Sequence, residues 1–488
     1  MSSLGLWMFA PALLLMVLTG LPVYAVLLAV AALFAAAGML LGAFDVSLLG
    51  ALPARLVGLL EHDLLQALPL YALSGALLNR LPLVLLLHRV AERAFSRSGA
   101  ASELSALAVG GLLAPMNGSV GASLHTLSRS VAPALLQSGV SADRTAATVA
   151  LASTLGVVIP PSLVLLLLGD AMMRAHTEAV NLTHAAVRIV NTQDVMRAVL
   201  LPGALVLLMA MALAAWRARG VTPGPSMRRT LPRSHVFTAL GVATVTAALL
   251  VGVALGHLLA VEAAATGCVL LALTATLRGQ LPWSRWRLVL RDAMNLTGAL
   301  LALLVGATAF SLVLRAFDTD ALIAHTLQSL SDRPVLLVGV VLAGLLLCSF
   351  VLDAFEMTFL VIPLVMPPAL MAVNDAAWLA ALTLLVLQLG YLLPPFGYAL
   401  VLSRALLPVQ PGLRALARAL RPQLLAQALL IAAVLAFPQI TQWARPTETP
   451  PPVTQHDAAE AERLMQDTVD AQRRNAEPPN DAASPALR

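Results

Sequence analysis

Two short apolar stretches carry residues suited to ion chemistry, because both interrupt a helix in the same way. They read Leu155-Gly156-Val157-Val158-Ile159-Pro160-Pro161 and Leu389-Gly390-Tyr391-Leu392-Leu393-Pro394-Pro395. Proline removes a backbone donor and glycine loosens a helix, so each run should unwind a spanning helix near its middle. Unwound carbonyl oxygens can coordinate a hard monovalent cation, while half-helix N-termini direct positive dipole ends at an anion. We therefore predict that these breaks hold a cation and a carboxylate.

A second pair of interruptions follows the same spacing. Pro160 and Pro394 are 234 positions apart (394 minus 160), and Ser119 and Asp353 are separated by the same number (353 minus 119). Ser119 ends a polar run, Pro115-Met116-Asn117-Gly118-Ser119, within an otherwise apolar segment. A polar break followed by a Pro-Pro break, repeated at a fixed offset, is typical of a secondary transporter built by internal duplication.

The candidate site residues are the polar and helix-breaking positions of the two halves. For cation binding they are Asn117, Gly118, Ser119, Thr154, Gly156 and Pro160 in the first half, and Asp353, Gln388, Gly390, Pro394 and Gly397 in the second. For the substrate they are the hydroxyl groups of Ser119, Ser123 and Ser162. The alternative is that the glycines and prolines only allow helices to pack closely.

Asp353 is the acidic residue that we most expect to act, because a carboxylate in apolar surroundings is costly and usually kept for a function. Glu356 lies one helical turn further along the same face. Either carboxylate serves a cation or finds a local hydrogen-bond partner.

The composition defines the class of protein. The 488 residues are 59% hydrophobic and 11% charged, with a mean hydropathy of +0.87, which is far too apolar for a soluble protein. We predict an all-α polytopic membrane protein with roughly ten to fourteen crossings and half-crossings. The 30 basic residues are all arginine and form no stripe interleaved with aromatic residues, so nucleic acid is not an expected partner.

We divide the chain into two repeats. The first covers 1–216, with scaffold and arm helices at 1–95 and a re-entrant hairpin and broken helix at 102–170. The second covers 234–443, with its hairpin at 335–371, its broken helix at 378–407, an arginine-rich surface helix at 411–421 and a last crossing at 424–437. Between them lies an arginine-rich linker at 217–233, and residues 444–488 form a tail predicted to be disordered. The linker and the basic stretch 278–291 are two crossings apart, so the positive-inside rule places both in the cytoplasm.

Enzyme chemistry finds no support in the sequence. It contains no Ser-His-Asp constellation, no metal-ligand cluster and, lacking lysine, no Gly-x-x-x-x-Gly-Lys phosphate loop. We expect no enzymatic activity and no cofactor, and transport energy should come from an ion gradient.

From about Leu4 to Trp443 the sequence resembles the large membrane subunit of tripartite ATP-independent periplasmic (TRAP) transporters. The most specific parts are Gly110-Gly111 through Asn117-Gly118-Ser119-Val120-Gly121-Ala122, Thr154-Leu155-Gly156 through Pro160-Pro161-Ser162, and Gly390 through Pro394-Pro395-Phe396-Gly397. The second tip, Ser349-Phe350-Val351-Leu352-Asp353, departs from the glycine-rich form expected there.

The resemblance implies a multi-pass sodium symporter of the bacterial inner membrane, with an elevator fold like that of the ion-transporter superfamily and two inverted repeats. It implies sodium ions between hairpin tip and helix break in each half, and a carboxylate substrate between the two. It also implies two protein partners, a small four-helix membrane subunit and a periplasmic binding protein that delivers organic acids. Two alternatives stay open: an autonomous sodium- or proton-coupled organic anion carrier, and a passive channel.

Overall fold

The fold is known from a computed structural model, which describes residues 2–443 except 46, 48–49, 62, 184–189, 221–231, 331 and 374. In the first half the helices are α1 Ser2–Leu6, α2 Phe9–Thr19, α3 Val23–Leu40, α4 Ala51–Leu60, α5 Ala67–Arg80, α6 Leu83–Ala94, α7 Ala101–Leu113, α8 Val120–Ser130, α9 Ala132–Gln137, α10 Ala142–Val158, α11 Leu163–Thr183 and α12 Thr192–Arg217. In the second half they are α13 Arg233–Ala254, α14 Ala260–Leu277, α15 Trp283–Ala316, α16 Thr319–Gln328, α17 Pro334–Cys348, α18 Ala354–Glu356, α19 Ile362–Ala372, α20 Ala376–Leu392, α21 Tyr398–Leu406, α22 Leu413–Ala436 and α23 Gln439–Gln442. Short 3₁₀ turns at Asp63–Gln66 and Ala114–Asn117 and a π-helical turn at Met357–Val361 complete the regular structure, and no strand occurs among these residues.

Within the described ranges, eight helices are long and apolar enough to cross a membrane, or up to nine if the bent pair α5 and α6 forms one span. The α5–α6 pair bends by 70° at its break, and α10 with α11 makes a single broken span of 42 residues. This architecture confirms the predicted all-α polytopic membrane protein.

The two halves repeat each other at the offset found in the sequence. Helix α20 (Ala376–Leu392) begins and ends 234 residues after α10 (Ala142–Val158), since 376 minus 142 and 392 minus 158 both give 234. In both hairpins the second helix follows an N-cap at the matched position, Ser119 before α8 and Asp353 before α18. The duplication is therefore visible in helix bounds as well as in sequence.

Helices α10 and α20 form the most buried part of the molecule. From Thr145 to Val158 every residue of α10 is buried, and in α20 only Leu389 is not. The Gln388 side-chain amide nitrogen lies 3.5 Å from the Thr154 hydroxyl, and these two residues occupy matched positions 234 apart. Because equivalent positions meet there, the axis that relates the halves passes close to this contact.

A long scaffold helix runs beside this centre. Helix α15 spans 34 residues and packs against α3 and α5. Close packing is visible at Gly306, where an added Cβ would lie 2.9 Å from the Tyr24 carbonyl oxygen. Helices α3 and α15 together make the wall that faces the hairpin tips.

Two helices extend further than the sequence indicated. The second part of the first broken helix, expected to end near Asp170, continues to Thr183, and polar residues in it pack against neighbouring helices. The expected surface helix at 411–421 and the crossing at 424–437 form one helix, α22, which runs through Pro422. Its buried residues recur every three to four positions from Leu416 to Val434, so one continuous packed face outweighs the proline. Most of the predicted linker, and the predicted tail, lie outside the described residues.

Candidate functional site

A cavity of about 300 Å³ lies where the two hairpin tips meet the scaffold wall. We call it the tip cavity. Its polar lining includes Ser119, Asp353, Glu356, Tyr391 and Tyr398. Its other wall is formed by residues 22–24, which include Tyr24, before and within α3 and by Leu296, Ala299, Leu300 and Leu303 of α15. The structure thus brings together Ser119 and Asp353, the two matched tip residues singled out in the sequence.

Asp353 is held in place by a reciprocal capping box. Its Oδ1 accepts hydrogen bonds from the backbone N–H groups of Phe355 (2.8 Å) and Glu356 (3.0 Å). The Glu356 carboxylate in turn accepts from the Asp353 N–H at 2.8 Å. This arrangement satisfies the donors at the start of α18 and fixes both carboxylates. Among the described residues no hydrogen bond uses Asp353 Oδ2, so this oxygen is available to a cation.

The first tip is built with a neutral cap. Ser119 Oγ accepts a hydrogen bond from the Ala122 N–H at 3.1 Å, which starts α8. Gly118 before it has a φ of 76°, a left-handed conformation that favours glycine. The turn at Gly118 and the cap at Ser119 together direct the N-terminus of α8 towards the tip cavity.

A chamber of about 10 Å³ lies between the first tip and the first break. This volume suits one water molecule. Its polar lining includes Gly118, Ser119, Ser153, Gly156 and Ser162. Only glycine fits at 156, because an added Cβ would lie 2.7 Å from the Ala114 carbonyl oxygen. Four of the residues predicted for this half therefore surround one small polar space.

Ser153 was missed by the sequence analysis, which chose its neighbour Thr154. Successive helical side chains point about 100° apart, so only one of the two faces the chamber. Thr154 is fully buried, and its hydroxyl donates to the Leu151 carbonyl at 2.9 Å. The same hydroxyl accepts a hydrogen bond from the Gln388 side-chain amide. Ser153 could have been selected from its spacing, because it precedes Gly156 by three residues and therefore lies on the same helical face.

Other predicted residues lie outside the tip cavity and the chamber. Ser123 is buried and its hydroxyl is 3.5 Å from the Ala114 carbonyl oxygen. Gln388 accepts a hydrogen bond from the Gln427 amide at 3.0 Å, at the contact between the halves. Pro160 and Pro394 each precede a second proline through a cis peptide bond at the break.

The second break has a more apolar surface than the first. Phe350 and Phe396 meet edge to face with ring centroids 6.3 Å apart. Phe396 occupies the position that matches Ser162 (396 minus 162 is 234). Gly390 packs against Ser349, and the Gly397 N–H donates to the Leu393 carbonyl at 2.9 Å. The second half thus offers a carboxylate where the first offers several neutral oxygens.

Three tyrosines that the sequence analysis did not select line the tip cavity, Tyr24 on the scaffold side and Tyr391 and Tyr398 near the second break. The rings of Tyr391 and Tyr398 lie edge to face, with centroids 6.4 Å apart. Tyr391 is almost fully buried, and its hydroxyl has no hydrogen-bond partner among the described residues. Buried polar groups normally have a partner, so this hydroxyl is suited to a ligand. Tyr391 could have been selected from the sequence, because it directly follows Gly390 in the second break.

Comparison with known proteins identifies a family and several partial relatives. The profile of the family "Tripartite ATP-independent periplasmic transporter, DctM component" matches residues 11–440. A 154-residue stretch is 26% identical to the sialic acid TRAP transporter large permease protein SiaM of Vibrio cholerae, covering 31% of this chain and 35% of the relative. A 109-residue stretch is 28% identical to the sialic acid TRAP transporter permease protein SiaT of Haemophilus influenzae, covering 22% of this chain and 18% of the relative. The matches thus span about a third or less of these relatives.

The fold also has a relative among solved structures. The crystal structure of the Alcanivorax borkumensis YdaH transporter superposes with a TM-score of 0.57 at 16% identity, covering 80% of this chain and 89% of that one. At this identity the likeness concerns the fold alone. Since the family profile covers nearly the whole described chain, the protein belongs to the DctM components of tripartite ATP-independent periplasmic transporters, a family of multi-pass inner-membrane transporters and not of enzymes.

Proposed function

We propose that this chain is the large permease subunit of a sodium-coupled transporter that imports organic acids by an elevator mechanism. The observation that supports this most directly is the tip cavity. Two matched hairpin tips, ending at Ser119 and Asp353, converge on one space against the α3 and α15 wall. A site at the junction of two repeats is the usual place for a substrate in secondary transporters.

The charge of the tip cavity supports coupling to a cation. Asp353 and Glu356 both line it, and its described lining contains no arginine or histidine. An organic anion placed beside two carboxylates is repelled unless cations neutralise them. Binding of sodium would therefore raise the affinity for a carboxylate substrate, which is the linkage that a symporter requires.

The cation positions follow from the two breaks. In the first half, sodium would occupy the chamber and bind oxygen atoms of Gly118, Ser119, Ser153, Gly156 and Ser162. Thr154, Asn117 and Pro160 remain predicted contributors from the surrounding backbone and side chains. In the second half it would bind Asp353 Oδ2, with carbonyl oxygens near Gly390, Pro394 and Gly397. Hard cations such as sodium favour oxygen ligands of these kinds.

An elevator motion suits the two walls of the tip cavity. One wall carries the polar tips, and the other consists largely of aliphatic residues of α15, among them Ala299, Leu300 and Leu303. An apolar wall makes few directional contacts, so the tip elements can slide along it. In this proposal the hairpins and broken helices move as a unit with the bound anion, while α3 and α15 stay in place.

The proposed partners complete the transport system. A separate small four-helix membrane subunit would support the scaffold, and a periplasmic binding protein would deliver the organic acid. Membrane lipid would cover exposed apolar residues such as Leu33 and Leu40 of α3 and Val269 of α14. The relatives SiaM and SiaT are named for sialic acid, a carboxylate, which agrees with this class of substrate.

The first test is uptake of radiolabelled organic acids into proteoliposomes that hold this chain and its small partner. We expect uptake only with an imposed sodium gradient and with the binding protein present. Equal uptake without the binding protein would instead indicate an autonomous carrier. Uptake that ignores every imposed gradient would indicate a channel, and would contradict the proposal.

Replacing Tyr391 with phenylalanine tests the substrate position. If its hydroxyl donates to the substrate carboxylate, we expect the KM to rise about tenfold, because a hydrogen bond to a charged group contributes about 1.5 kcal/mol or more. Thermal stability should not fall, since the hydroxyl has no partner among the described residues. Tyr71→Phe is the control, because this buried tyrosine does not line the tip cavity. An unchanged KM in Tyr391→Phe would contradict the assignment of Tyr391 as a substrate-binding residue.

A further inference from the structure

A second and larger cavity, of about 730 Å³, adjoins the tip cavity. We call it the vestibule. It is lined by parts of α5, α8, α15 and α21 together with Asn117. Among the described residues, Ser119 and Leu296 line both cavities. The vestibule therefore borders the tip cavity at Ser119 and Leu296.

The polar lining of the vestibule differs in charge from that of the tip cavity. Arg80 and Asp292 line it as an ion pair, with the Arg80 Nη2 atom 2.6 Å from the Asp292 carboxylate. Arg129 also lines it, is exposed, and has no ion pair among the described residues. His125 precedes Arg129 by four residues on α8, which places both on one helical face. The unpaired charge of the vestibule is thus positive.

Two unpartnered polar atoms add to this surface. The buried residues Asn117 and Ser128 line the vestibule, and the Asn117 Oδ1 and Ser128 Oγ atoms have no hydrogen-bond partner among the described residues. The serine hydroxyl can donate a hydrogen bond, and an amide presents donors when rotated. Unpaired donors beside a free guanidinium are the groups that recognise a carboxylate.

The vestibule lies on the side that the positive-inside rule assigns to the cytoplasm. Its ion pair uses Asp292, which directly follows the basic stretch 278–291. From Ser119 to Arg129 there are ten residues of α8, or about 15 Å along the helix. An anion that leaves the tip cavity past Ser119 would meet His125 and then Arg129.

We propose that the vestibule is a second carboxylate site, with Arg129 and His125 as its charged and ring N–H donors and Ser128 as a hydroxyl donor. It receives the anion on the cytoplasmic side of the tip cavity. This inference rests on the proposed transport of organic acids, and it adds a binding position outside the meeting point of the tips. Arg129 is not part of the tip cavity, so its role can be separated from sodium coupling.

A cysteine reporter tests the charge of the vestibule directly. Leu406→Cys, made in a chain whose two free cysteines are replaced (Cys268→Ala and Cys348→Ala), places a single thiol in its lining. The full chain is labelled in detergent, without sodium, by anionic 2-sulfonatoethyl or cationic 2-trimethylammonioethyl methanethiosulfonate. We expect Arg129→Gln to lower the ratio of anionic to cationic labelling rates about tenfold, because a nearby unit charge in a partly hydrated cavity is removed. Arg174→Gln is the matched control, since this exposed arginine lies outside the vestibule. An unchanged ratio in Arg129→Gln would overturn the proposal.

Protection by succinate tests the site itself. Succinate should slow labelling of Leu406→Cys, and Arg129→Gln should remove this protection. Ser128→Ala should weaken the protection severalfold while leaving the reagent ratio unchanged, which gives a result independent of the arginine variant. Protection that persists in both variants would contradict the site.

These labelling experiments need neither a sodium gradient nor uptake. If uptake proves independent of sodium while succinate protection depends on Arg129, the coupling proposal fails and the vestibule site stands. If uptake is coupled to sodium as proposed but labelling and protection are unchanged in Arg129→Gln, the vestibule site is contradicted and the coupling proposal stands.

Discussion

Asp353→Asn should weaken the apparent affinity for sodium in uptake by about 10- to 100-fold. Asparagine caps a helix as well as aspartate does, so α18 should still start at the same place. What is lost is the negative charge at Oδ2, the atom we assign to sodium, and interactions with charged groups contribute about 1.5–3 kcal/mol. The measurement is the sodium dependence of uptake in proteoliposomes.

The matched control is Asp375→Asn, which changes another N-cap aspartate in the same half. Asp375 accepts a hydrogen bond from the Trp378 N–H at 3.0 Å at the start of α20, away from the tip cavity. The sodium dependence of uptake by the Asp375→Asn variant should equal that of the unmodified chain. A sodium response in Asp353→Asn that matches this control would show that Asp353 acts only as a cap.

Arg144→Gln should produce the largest loss of stability, about 3 kcal/mol. Arg144 forms an ion pair with Glu103, which joins α7 of the first hairpin to the start of α10. The Glu103 side chain is only 4% exposed, whereas that of Arg144 is 31% exposed. Removing the arginine leaves a buried carboxylate with only the more distant charge of Arg217 and the Thr148 hydroxyl at 3.5 Å to support it. Thermal unfolding in detergent measures the effect.

A double-mutant comparison separates the buried charge from lost packing. Glu103→Gln/Arg144→Gln should recover much of the stability, because no uncompensated buried charge remains. Arg174→Gln should change stability by less than about 1 kcal/mol, since its ion pair with Asp170 is largely exposed on the arginine side. A double variant as unstable as Arg144→Gln would exclude the buried charge as the cause.

The sequence predicted the repeat well because a local signal carries it. Glycine and proline disturb a helix wherever they stand, so the breaks at Gly156 and Gly390 were readable without knowledge of any contact. The offset of 234 then located Ser119 and Asp353, which the structure places in one cavity. Helix ends were less well predicted: α11 and α22 are longer than expected because burial along one face outweighs polar residues and a proline.

The assignment of side chains to the site depended on tertiary contacts. Thr154 and Ser153 are neighbours in sequence, yet one meets Gln388 across the repeat axis and the other faces the first-half chamber. The vestibule likewise combines Arg129 of one half with Asp292 of the other. Such pairings join residues far apart in the chain, and no local pattern encodes them.

By itself, the sequence determined that this is a helical membrane protein with two related halves and where each half breaks. Those properties follow from hydropathy, backbone restrictions and spacing, which act over a few residues. Only the tertiary structure decided that the two tips share one cavity, that Tyr391 and Tyr398 line it, and that a positively charged vestibule adjoins it. These properties depend on how helices from both halves pack, because the direction of each side chain is set by the rotation of its helix against its neighbours.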